Sequence, residues 1–168
     1  MPRFDWPFPG KHIMTREIAW VLLFTVLPIS ELRVGIPLGI LEYGLDRLFV
    51  FLLAITANAL MFFPIFFGLR LFYSNILCRI PGFDRYLDSL RRRGKPKVDR
   101  YGFWGLLFFV GIPLPVTGVY TATALAWLLE MDWRRAFPPI AVGVVIAGTI
   151  VLLGTLGIVE VFAIFLRG

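Results

Sequence analysis

The sequence predicts an all-α integral membrane protein built as an inverted repeat, each half a re-entrant helical hairpin followed by a transmembrane helix. Three observations carry that expectation. The 168-residue chain is 58% hydrophobic and 16% aromatic, with a mean hydropathy of +0.80, whereas soluble domains average ~45–50% apolar. Its apolar residues arrive in runs longer than the ~18 residues that mark a bilayer span. Two of those runs are broken, by P-I-S-E-L-R-V-G-I-P from Pro28 to Pro37 and by G-I-P-L-P-V-T-G from Gly111 to Gly118. Each break holds two prolines and at least one glycine, so a continuous helix is not expected there. In lipid, such backbone survives only where protein or a water-filled cavity satisfies its polar groups. A matching pair of breaks in two halves points to the site of a transporter.

The elements follow in order. The start, M-P-R-F-D-W-P-F-P-G-K-H-I-M, lacks the compact apolar core and cleavage site of a signal peptide and is expected to stay, lying irregularly at the interface. A first repeat is placed at 17–72, with a hairpin at 17–45 and a transmembrane helix at 48–72. Ile18 to Ile29 would span ~18 Å and Leu32 to Leu45 ~21 Å, against a hydrocarbon core of ~30 Å. Neither arm crosses, so the chain is expected to enter, turn at the break and leave on the same side.

The stretch 73–100 is polar and basic, with eight of the 17 Lys and Arg between Arg79 and Arg100. Positive-inside topology places it in the cytoplasm. Within it Phe83, Tyr86, Leu87 and Leu90 recur at helical spacing, which suits a short amphipathic helix on the membrane surface as well as a plain solvated loop. A second repeat follows at 101–160, with a hairpin at 101–131 broken at Pro113–Gly118 and a transmembrane helix at 136–158. Gly143, Ala147, Gly148 and Gly154 give that last helix a small-residue packing face. Trp20, Trp104, Trp127 and Trp133 read as interfacial anchors.

Laying Pro28 on Pro113 aligns the halves with a period of 85, and Asp46 then falls one residue short of Asp132. One net crossing per half inverts the second relative to the first. Basic residues divide 10 against five for hairpins and 12 against three for four plain spans. The charge rule thus favours plain spans, while lengths and prolines favour hairpins.

Several chemistries are excluded by what the chain contains. Cys78 and His12 are the only residues of their kinds, leaving no disulfide, CxxC motif or metal cluster. No Walker-type loop or nucleophile elbow occurs, so no catalytic residue, metal or cofactor is expected. The net charge of +6 is explained by the loop, not by nucleic acid.

Binding residues are expected at the breaks. Glu31 and Arg33 are ionisable groups at membrane depth, where charges face a cavity or one another. Arg33 suits a phosphate or carboxylate and Glu31 could carry a proton, with Ser30 and Pro37 flanking them. An internal Glu–Arg pair that only fixes the turn is the plainer reading. In the second break, beside Pro113 and Pro115, Thr117 could cap a helix starting near Val119, and Gly118 would let the tips approach closely. Tyr120 and Thr121 add hydroxyls. Asn58 needs a partner in mid-helix, with helix-to-helix bonding ahead of ligand contact.

E-L-R-V-G-I-P at Glu31–Pro37 and P-L-P-V-T-G at Pro113–Gly118 resemble the small multidrug export protein family, which carries an E-x-R-x-x-I-P and a later P-x-P-x-T-G element. That family in turn looks like a remote relative of the DedA (VTT-domain) superfamily, whose fold has two inverted re-entrant hairpins. The resemblance implies a multi-pass protein of a prokaryotic cell membrane. It also implies movement of polyprenyl-phosphate carriers or phospholipids, often coupled to protons. DedA proteins divide acidic residues and arginine between their hairpins, whereas here both charges sit in the first. The expected function is translocation of an anionic lipid or polyprenyl-phosphate-type carrier. The alternatives are a proton-coupled exporter of small hydrophobic cations and a non-transporting membrane scaffold. The partners expected are membrane lipids, with a homodimer to shield two hairpins, and no nucleic acid.

Overall fold

The computed structural model describes residues 11–75, 87–88, 92, 102–113 and 118–165. Every regular element among them is helical: α1 (Lys11–Val26), α2 (Glu31–Pro37), α3 (Arg47–Leu60), α4 (Phe62–Asn75), α5 (Gly102–Gly111), α6 (Val119–Leu128) and α7 (Trp133–Phe165). The backbone from Lys11 is helical, so α1 begins earlier than the hairpin start at 17 and the irregular stretch expected there is shorter. Of the basic segment, Leu87 and Asp88 are helical, the first buried and the second exposed. Phe83, Tyr86 and Leu90 lie outside the described residues.

Among the described residues, two helices are long and apolar enough to cross a membrane. Residues Arg47–Ser74, 28 in number, and Trp133–Gly157, 25 in number, would measure ~42 and ~38 Å at 1.5 Å per residue. The first combines α3 and α4 with one irregular turn at Met61, whose N–H reaches back to Asn58 O at 3.2 Å. Pro64 explains the irregularity, because it has no N–H to offer the preceding turn. Both long helices open on an aspartate cap. Asp46 Oδ1 accepts from Phe49 N–H at 2.9 Å and Asp132 Oδ1 from Arg134 N–H at 3.2 Å, satisfying donors that a helix start otherwise leaves bare.

The first break folds back on itself. Gly35 packs on Thr25, and Gly39 packs on Val21 and Val50. Rising numbers on α2 therefore meet falling numbers on α1, and the two helices form an antiparallel hairpin. Pro37 withholds an N–H from Arg33, and directly after it the ladder widens into a π-turn at Leu38–Glu42. The hairpin then packs on α3 and α7.

In the second half, Leu107 and Val110 of α5 meet Gly143 of α7, and Gly111 meets Ile146, so α5 and α7 run in the same sense. α6 returns against α4 and α7. The expected small-residue face is used at Gly143 and at Gly148, which contacts Ile55 and Phe51 of α3, and Ala147 is buried. Gly154 has nothing within 4 Å and lies off that face.

One local device occurs in both halves. Two residues before each capping aspartate the chain turns left-handed, at Gly44 (φ 61) and Glu130 (φ 57). After α6 this makes a Schellman closure, with Glu130 N–H on Trp127 O and Met131 N–H on Ala126 O, both 3.0 Å. After the π-turn the equivalent bond is one residue wider, from Leu45 N–H to Gly39 O at 3.0 Å. These landmarks are 86 residues apart, while α1 and α5 end 85 apart at Val26 and Gly111 and α2 and α6 start 88 apart at Glu31 and Val119. The expected spacing of 85 thus fits the ends of α1 and α5, and the other landmarks lie one to three residues further apart.

Candidate functional site

α1 ends at a place where its carbonyls lose their helical partners, and nearly every donor in the neighbourhood serves them. Leu23 O receives Leu27 N–H at 3.1 Å and Leu27 O receives Glu31 N–H at 3.0 Å. Between these, Ser30 Oγ donates to Phe24 O at 2.5 Å and Asn58 Nδ2 to Thr25 O at 3.1 Å. Tyr120 donates its hydroxyl to Val26 O. Three consecutive carbonyls are thus satisfied by side chains from the turn, from α3 and from α6. An unpaired carbonyl in a dry interior costs roughly 1–3 kcal/mol, so this set is what lets the helix stop there.

The traffic runs both ways between the hairpins. Glu31 is 9% exposed, and its carboxylate accepts from the backbone N–H groups of Val119 and Tyr120, the first turn of α6. A carboxylate at a helix N-terminus meets both free donors and the positive end of the dipole. Gly118 makes the approach possible: a Cβ there would come within 2.6 Å of Glu31 Cδ and closer still to both oxygens. Glu31 itself has φ 44, a left-handed conformation that costs a non-glycine residue about 1–2 kcal/mol. That turn directs the carboxylate to the second half. Arg33 is near enough to attract the same charge.

Glu31, Arg33, Asn58, Pro113 and Gly118 together line a small pocket, with Val144 and Ala147 of α7 as apolar wall. Its free volume of ≈ 10 Å³ holds about one water. Asn58 is 1% exposed, and its Oδ1 is a buried acceptor with no hydrogen-bond partner among the described residues. Among the described residues no group of three or more His, Cys, Asp and Glu could hold a metal.

The sequence-predicted residues fall into three sets. Glu31, Arg33, Asn58, Pro113 and Gly118 converge on the pocket. Ser30, Pro37, Tyr120 and Thr121 serve the backbone around it: Thr121 Oγ1 accepts from Gly118 N–H at 3.2 Å, the end at which Thr117 was expected to cap. Thr117 and Pro115 lie outside the described residues. The N–H groups of α6 that could have received a phosphate are bonded to Glu31 instead. That cross-tip bond had no local signature, since its partners are 88 and 89 residues apart.

The family described as "Putative small multi-drug export protein" matches residues 31–150. The chain belongs to that family. In this member the matched region opens at Glu31, inside the first break, and takes in the rest of that break, the whole of the second, and α3, α4 and α6. No curated protein and no solved structure matches the chain. Family and long apolar helices together make it a membrane protein of an export family.

Proposed function

We propose that the chain is a proton-coupled exporter of small hydrophobic cations, with Glu31 as the group that proton and cargo share. The observation that carries this reading is the Glu31 carboxylate bonded to the first turn of α6, one charge holding both breaks together. Ionised, Glu31 takes charge-assisted bonds from Val119 and Tyr120. Protonated, it gives most of that up, and the two tips are free to part. A cation then competes with α6 for the same carboxylate, and proton and cargo exclude one another. Asn58 Oδ1 adds an acceptor on the cargo's side, and Arg33 restores the latch by drawing the carboxylate back. The tight pocket corresponds to the closed state of the cycle.

This reading takes the place of an anionic lipid as cargo. An anion would have to displace Glu31 from α6 and then face it, which like charges oppose. A carrier role also leaves the pocket without need of a nucleophile or cofactor.

In the bilayer the two hairpins are re-entrant and the halves form an inverted repeat, the arrangement that a remote kinship with DedA proteins would give. Support comes from the left-handed residue and aspartate cap recurring at 44/46 and 130/132. It also comes from hairpin arms too short to span. The 79–100 loop faces the cytoplasm. Labels at residues 12 and 92 then react from opposite sides, and reaction from one side refutes the topology.

Proteoliposomes test the function. A pH gradient should drive tetraphenylphosphonium accumulation by the native protein and not by Glu31→Gln. Equal accumulation by the two would end the proposal. Arg33→Gln should slow transport while keeping its dependence on the gradient.

A further inference from the structure

A second, larger cavity opens about one helix-length from Glu31, where the C-terminal part of α4 faces the α6–α7 turn. Its volume is ≈ 360 Å³, within the range of small-molecule sites. Phe66, Trp127 and Trp133 form its aromatic walls, and Glu130, Asp132 and Arg70 supply the charge. From the sequence the two tryptophans read as interfacial anchors; here they share one cavity with Arg70.

We propose that this cavity binds an organic cation and is where cargo waits before it reaches Glu31, an inference that rests on the exporter reading. Three observations converge on it. The first is the wall: indole faces attract planar or diffuse cations, and Trp133 already holds one, with the Arg134 guanidinium 5.3 Å from its ring centre. The walls are fixed in place, Trp133 by Phe63 at 6.1 Å and Trp127 by Tyr73 at 5.7 Å between ring centroids.

The second is charge. Two carboxylates, Glu130 and Asp132, and one guanidinium, Arg70, line the cavity, with the Arg134 guanidinium beside the Trp133 wall. Asp132 uses one oxygen on Arg134 N–H, but capping does not remove its charge. Arg70 keeps anions from being repelled outright, yet does not outweigh the pair.

The third is Glu130 itself. At the corresponding turn of the first half the left-handed residue is Gly44, which adopts φ 61 at no steric cost. Glu130 adopts φ 57 at a cost of about 1–2 kcal/mol. The turn needs only a residue that adopts this conformation, and in the second half that residue is a glutamate lining the cavity. Strain of this kind collects at functional sites.

The cation could come as a free lipophilic ion or as the ammonium of a lipid headgroup. Equilibrium binding of tetraphenylphosphonium to the full-length protein in nanodiscs tests the proposal. Glu130→Gln combined with Asp132→Asn keeps a capping side chain at 132 and removes both charges. That variant should bind about tenfold more weakly or worse, as loss of a desolvated charge contact implies. Tetraphenylborate, the same shape with opposite charge, should bind poorly to the native protein. Glu31→Gln should lose gradient-driven export and the binding that Glu31 itself provides, while the tetraphenylphosphonium binding left in that variant should still fall when Glu130→Gln and Asp132→Asn are added.

Native-like binding by the double variant, or equal binding of both ions, overturns the site. Absence of that further fall in the Glu31→Gln background overturns it too, while leaving the exporter reading standing. Competition by phosphatidylcholine, absent with phosphatidylglycerol, would identify the headgroup as the source of the cation. Absence of competition from either lipid would identify the free ion.

Discussion

Replacing Gly118 by alanine should uncouple the two breaks. Gly118 has φ 169 and ψ −168, an extended conformation open to any residue, so the backbone itself resists nothing. The whole effect arises from the new methyl group, which would lie within 2.6 Å of Glu31 Cδ. The carboxylate must leave the first turn of α6, and two charge-assisted bonds to Val119 and Tyr120 go with it. At ~1.5–3 kcal/mol for a bond to a charged group, partly recovered by relaxation, the net loss is about 2 kcal/mol. For a chain of this size that corresponds to a fall of roughly 4–8 °C in Tm, readable by thermal unfolding in detergent. The decisive form is a double-mutant cycle. In a Glu31→Ala background the alanine at 118 has no carboxylate to meet, so Gly118→Ala should then cost less than about 0.5 kcal/mol. Additive losses in the double variant would refute the claim that the two positions act through one contact.

Four further outcomes follow from the same structure. Tyr120→Phe leaves Val26 O without its donor and should cost about 1–3 kcal/mol in thermal unfolding, far more than an exposed hydroxyl would. Gly35→Ala places a methyl group 3.1 Å from Thr25 Cβ and 3.4 Å from its Cα; it should destabilise by about 1–3 kcal/mol. Gly68→Ala, with nothing within 4 Å, should be neutral or stabilise by up to about 1 kcal/mol. Glu130→Gly removes the left-handed strain and should raise Tm while weakening tetraphenylphosphonium binding, a trade that binding and unfolding measured on one preparation will show.

The local parts of the fold were legible in the residues, and the long-range ones were not. Proline and glycine marked both breaks, and apolar length marked the two long helices. The aspartates at 46 and 132 served to align the halves, and their use as caps on those helices is seen only in the structure. Glycine at 44 is the ordinary sign of a left-handed turn, but glutamate at 31 and 130 is not, and nothing local announces φ 44 or φ 57 there. The π-turn after Pro37 was equally silent, since the residues Leu38–Glu42 suit an α-helix as well. Within the site, the sequence picked out Glu31 and Gly118 for separate reasons. That one lies over the other is a fact of tertiary packing. Asn58 was expected to bond between helices and does so through Nδ2, while its Oδ1 was free to be either spent or spare.

The three side chains on the last carbonyls of α1 also constrain how the protein is made. Val26 leaves the ribosome long before Tyr120, and for all the synthesis in between its carbonyl lacks the hydroxyl it will use. Asn58 arrives sooner and Ser30 at once. The first half therefore enters the membrane with one bare polar group at its centre, and the newborn hairpin has reason to stay shallow or wet until α6 is inserted. Expressed alone, residues 1–75 should be degraded quickly, and co-expression of the second half should rescue them unless it carries Tyr120→Phe.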